Sequence, residues 1–172
     1  MTQVRYAKGL DSLMVEAEVL SPHPRNPNNG DTEEIVASIL SVGCYRPIYA
    51  NLDTGRIVGG HHVYEALLSL GETRVPVVWG TYSAEDEMRV LVADNGIARR
   101  ARMDPALELE LLTELHGTDR GLVGVGSDEY DLARLKAELE DPFHPGVYTA
   151  PEEGTEDYGH TCTQCGGICH GT

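Results

Sequence analysis

Paired glycines followed by paired histidines, Gly59-Gly60-His61-His62, are the residues of this chain best suited to chemistry. Glycines let the backbone turn sharply and let a ligand come close. The run that follows has a helical apolar period, so the histidines fall in a first helical turn. Amide N–H groups there lack partners and carry partial positive charge, which suits a phosphate or another anion. Two imidazoles add donors, and His61 or His62 would serve as general acid or base. The plainer alternative is a tight turn followed by two solvated histidines. Adjacent helical histidines point about a quarter-turn apart and chelate one metal ion poorly.

A second pair, Asp94-Asn95, offers a carboxylate and an amide oxygen that suit Mg²⁺, which takes few protein ligands and keeps several waters. Arg99, Arg100 and Arg102 follow, either to meet phosphates or to face water. A third group closes the sequence. Cys162-x2-Cys165-x4-His170, with Cys169 or His160 as a further ligand, has spacing suited to Zn²⁺. An unliganded tail is the competing reading.

These groups need elements to hold them. VEAEVL, from Val15 to Leu20, alternates as a half-buried strand should, and a Pro/Asn cluster stops it. DTEEIVASILSVG reads as a helix capped by Asp31, answered by Glu34 and closed by Gly43, with Ile35, Val36, Ile39 and Leu40 on one face. PIYANL and RIV read as a hairpin turning at Asp53-Thr54-Gly55. A helix through Val63, Ala66, Leu67 and Leu70 ends at Gly71, and RVPVVWG is a strand. SAEDEMRVLVADNGIARR starts a helix at Ser83, with Asp86 at the capping-box position usually filled by Glu. DPALELELLTELH and SDEYDLARLKAEL are two further helices, fitted to packing or to forming a homodimer rather than to an active site. Beyond Asp141 the Pro, Gly and acidic residues read as a flexible linker.

The formal net charge is −15. So acidic a surface repels a phosphate backbone, which argues against non-specific duplex binding by the isolated chain. One Trp and one Phe leave the core aliphatic. No apolar run is long enough to cross a bilayer and the N-terminus lacks a secretion signal, so the expectation is a cytoplasmic protein without membrane contact.

Taken in order, LSPHPRNPNNGD, a helix ending in SVG, RPIYANLDTGRIVGGHHVYEALLSLG, VPVVWG and ADNGIARRARMDP resemble the ParB N-terminal domain, the ParB/sulfiredoxin fold. The resemblance runs from about Val15 to Arg102. It implies an α+β fold with a small mixed sheet and flanking helices over residues 1–102, then a helical extension (103–141) and an acidic linker with a Cys/His-rich tail (142–172). It further implies a nucleotide triphosphate ligand, CTP with Mg²⁺ as in ParB proteins or ATP as in sulfiredoxin. Gly59, Gly60, His61 and His62 match the phosphate-binding turn. Asp94 and Asn95 match the segment contacting metal and phosphate, and Arg46 with Pro47 the strand start that lines the pocket.

The departures are specific. Val63 stands where both relatives carry arginine, and His61 stands at the cysteine nucleophile of sulfiredoxin, which excludes that chemistry. Asn28 replaces an arginine usual in ParB proteins. The remaining length is too short for their helix-turn-helix reader, so a partition role is not expected. Acidic late helices with a Cys-x-x-Cys tail also resemble standalone ParB-like proteins of actinobacterial phages. The expected function is therefore binding of nucleotide or nucleic-acid phosphate in phage DNA metabolism, in the host cytoplasm, with Mg²⁺-dependent nuclease or nucleotide hydrolase activity. The alternative is a catalytically inactive acidic adaptor for a phage or host protein. DNA mimicry is a third reading of the acidity.

Overall fold

A computed structural model describes residues 4–28 and 30–140, together with the backbone of 160–161 and 168–169. Four strands form one sheet: β1 (Met14–Glu16), β2 (Ile48–Asn51), β3 (Ile57–Gly59) and β4 (Arg74–Gly80). Their order is β1-β4-β2-β3. β1 runs antiparallel to β4, β4 parallel to β2, and β2 antiparallel to β3. The chain passes from the β2–β3 hairpin through helix α2 (His61–Ser69) to reach β4, the crossover that parallel neighbours require. Helix α1 (Thr32–Val42) packs against α2, and α3 (Ala84–Arg100) lies along β3. Helices α4 (Pro105–His116) and α5 (Glu129–Glu140) then pack on each other. This is the mixed α+β architecture the sequence implied.

The core is aliphatic, with Ile48, Ala50, Ile57, Ala66, Leu67 and Val75 wholly inaccessible. Local signals explain the helix ends. The Asp31 carboxylate accepts from the N–H groups of Glu33 and Glu34, and Gly43 leaves α1 at φ 93°. Ser83 and Asp104 cap α3 and α4 in the same way.

Two expectations need correction. The strand expected through Leu20 stops at Glu16. The Ala17 N–H still meets the carbonyl of Thr73 in register with β4, and the backbone then closes into a 3-10 turn over Ala17–Val19. That turn advances the chain by one position, so Leu20 is buried while Val19 is 52 % exposed. On α1, Ile35, Val36 and Ile39 face the core, but Leu40 points outward.

The α4–α5 hairpin is tied back to α1 through its connecting loop. Gly124 (φ 77°) sits so close that a Cβ there would stand 2.6 Å from the Cα of Ser38. Arg120 donates to the Ser41 carbonyl at 2.7 Å. The proposed zinc ligands Cys162, Cys165 and His170 lie outside the described residues. Of Cys169 only the backbone is described, where Ile168–Cys169 pairs antiparallel with His160–Thr161.

Candidate phosphate-binding site

Strand β3 delivers the chain to Gly60, whose left-handed backbone (φ 78°, ψ 28°) starts α2. A Cβ at Gly60 would meet Ile48 and the Pro47 carbonyl at an ordinary contact distance of 3.4 Å. It is the backbone angle that calls for glycine. No side chain caps α2, and its first helical bond runs from the Tyr64 N–H to the Gly60 carbonyl. The amides of His61, His62 and Val63 thus have no protein partner among the described residues. In front of them opens a cavity of about 390 Å³.

The opening loop supplies Asn26 and Asn28 to its wall, and α1 supplies Ile35. The start of β2 adds Arg46, Pro47 and Tyr49, and α3 adds Asp94 and Asn95. The structure therefore brings Gly60, His61, His62, Arg46, Asp94 and Asn95 together around one hollow. Gly59 stands just behind it, with the Asp94 carboxylate 3.7 Å from where a Cβ would be. Val63 lines the cavity with hydrocarbon. Arg100 and Arg102 are exposed and lie away from it.

The histidines are doing structural work. Nε2 of His61 accepts from the backbone N–H of His23 at 3.3 Å, and Nε2 of His62 accepts from that of Gly30 at 2.8 Å. A ring nitrogen that accepts carries no proton, so each imidazole is neutral with its hydrogen on Nδ1. Burial pushes the His61 pKa below its ordinary value, and the neighbouring His62 and His23 add to this against Glu65 and Asp94. Both rings therefore clip the opening loop over the cavity and keep Nδ1–H as the remaining donor.

His23 is held in turn. Its Nδ1 accepts from the Arg25 N–H at 3.1 Å, which leaves the proton on Nε2, 3.4 Å from Glu87. Glu87, 2 % exposed, also takes Asn51 Nδ2 at 2.6 Å and the Thr54 hydroxyl at 3.1 Å, with Arg56 at 3.5 Å. Burial raises the Glu87 carboxyl, but the hydrogen bonds from Asn51 and Thr54, the charge of Arg56 and the facing His23 Nε2–H outweigh it and hold the carboxyl below its ordinary value. Sequence reasoning missed this cluster. Glu87 sits in the acidic run SAEDEM and reads as solvated; its helical spacing to Leu91, the buried apolar residue of α3, was the available signal.

For a divalent cation, Asn95 uses its amide nitrogen on the Leu91 carbonyl at 2.8 Å, leaving its oxygen available beside Asp94. No group of three or more acidic, His or Cys side chains converges among the described residues. The donor set fits Mg²⁺ held largely by water and ligand oxygens, not a closed protein cage.

No family model and no curated protein matches the chain. Solved structures do. The chromosome-partitioning protein ParB from Caulobacter crescentus, C-terminally truncated and complexed with CTP-gamma-S, aligns at a TM-score of 0.59 and 20% identity, over 76% of this chain and 79% of that one. The same protein complexed to the centromeric parS site aligns at 0.41 and 20%, over 76% and 73%. A Pnob8-like ParB-N domain aligns at 0.42 and 19%, over 83% and 54%. The first of these likenesses gives the chain a ParB-like fold.

Proposed function

We propose that the chain binds the phosphate of a nucleotide or of a nucleic-acid strand in the α2 cavity. The observation that carries this reading is the uncapped α2 N-terminus, which opens its amides onto a 390 Å³ hollow lined by Arg46 and two neutral imidazoles. Support comes from the fold neighbour, which is a complex with a CTP analogue. Asp94 and Asn95 would hold Mg²⁺ against the phosphate oxygens. In the catalytic form of this reading, a Mg²⁺-dependent nuclease or nucleotide hydrolase of phage DNA metabolism, His61 and His62 position the phosphate through Nδ1–H, and either would act as general acid only on releasing its Nε2 contact and taking up a proton. Calorimetric titration of the full chain with CTP, ATP and GTP in Mg²⁺ tests binding. Heat with at least one nucleotide, weakened in His62→Ala, is expected. No heat with any of them defeats the nucleotide version, and a supercoiled plasmid left intact in Mg²⁺ defeats the nuclease.

One observation favours a second reading, a protein-binding adaptor. Leu107, Leu111 and Leu115 form an exposed stripe along α4, at 59, 60 and 38 % exposure. Co-purification from infected cells, lost on Leu111→Glu, is the test.

A further inference from the structure

The cavity wall is nearly neutral, and that decides which phosphates it prefers. Its donors are the free amides of α2, Arg46 and imidazole Nδ1–H groups. His61 is only 6 % exposed and has no partner for Nδ1 among the described residues. No buried polar side-chain atom is left sealed without a partner among those residues, so this nitrogen opens onto the cavity that His61 lines. Of the formal charges on the wall there are two, Arg46 and Asp94, and they are opposite. Val63 adds no charge at the third helical position.

A phosphodiester brings one negative charge and many donors' worth of acceptors, which this cradle can match. A triphosphate brings several charges to a site where one guanidinium is already offset by a carboxylate. Like charges within a few ångströms oppose each other even through a partly solvated path. The Asp94 carboxylate lies beside the glycine turn and on the wall of the same cavity.

We propose, resting on the phosphate-binding reading above, that Asp94 is a specificity-determining residue: in the absence of a divalent cation it makes the cavity select a singly charged phosphodiester over a nucleoside triphosphate. A cation held by the same carboxylate would relieve the exclusion, so triphosphate binding becomes strictly cation-dependent.

The test is calorimetry or competition with the full chain in EDTA, using the dinucleotide CpC, CMP and CTP. CpC binds at least as tightly as CTP. Asp94→Asn raises CTP affinity about tenfold and leaves CpC within about twofold, a differential of the size expected for one carboxylate facing several phosphate charges. Asp94→Ser gives the same change and guards against an effect peculiar to the amide. CTP binding tenfold tighter than CpC in EDTA, or an unchanged ratio in both variants, overturns the filter while leaving phosphate binding standing. No binding of any of the three, with or without Mg²⁺, overturns both.

Discussion

Glu87 shows how one side chain can hold a site it never touches. Asn51, Thr54, Arg56 and His23 all point hydrogens at its carboxylate. Glu87→Gln replaces one acceptor oxygen by a donor facing donors, so the variant loses about 2–3 kcal/mol, measurable by urea denaturation. Because the folded carboxyl lies below its ordinary value, this contribution is present above about pH 4.5, the unfolded value, and disappears as pH falls through the folded one. Glu87→Gln therefore flattens the acid limb of the stability profile. His61 acts at milder pH. Its folded pKa is lowered from 6.5, so below that pH the unfolded chain takes up the proton first and stability declines. Urea curves at pH 7.5 and 5.5 will show a drop that His61→Asn reduces. The placement of the paired histidines at the start of α2 was legible in the sequence, but their clipping role was not: no local pattern announces that an imidazole will accept an N–H from residues 32 and 38 positions away.

At the scale of elements, ends and turns were readable and through-space partners were not. Asp31, Gly43, Ser83 and Gly71 mark boundaries by short-range chemistry, and the structure keeps each of them. The end of β1 is set by the 3-10 turn over Ala17–Val19, which the alternating pattern of VEAEVL does not announce. Leu40 was misassigned because the apolar stripe of α1 is wider than the face α2 covers. The loop before α5 offers a sharp test of such long-range contact. Gly124→Ala demands a left-handed alanine and a Cβ 2.6 Å from Ser38, so the α4–α5 hairpin should come loose from α1. Amide exchange in Ala37 and Ser38 is expected to quicken, with a loss of about 1–3 kcal/mol.

Across the whole molecule, the acidic surface and the proposed phosphate-binding cavity would act in opposite directions. A formal charge of −15 repels every anion at long range, whereas on the proposed reading the cavity would attract one through short, oriented hydrogen bonds. Salt screens the first and spares the second. Affinity for CpC or CTP is therefore expected to rise a few-fold from 20 to 150 mM NaCl, the reverse of basic nucleic-acid binders, and a falling affinity would show that surface attraction dominates. The ordered motifs anticipated the fold over most of the described residues. Composition alone suggested a protein that avoids phosphate, because a charge count carries no information about where free amides point.

The Pro/Asn-rich stretch between β1 and α1 has the composition of a segment that endoproteases cut first. Here its two ends are buttoned down at residues 23 and 30 by imidazoles from the same helical turn. His23 and Gly30 are thus both held, and trypsin should pass over the Arg25-Asn26 bond of the intact protein. Cleavage at that bond in His62→Ala would show that the button had come undone before the fold did.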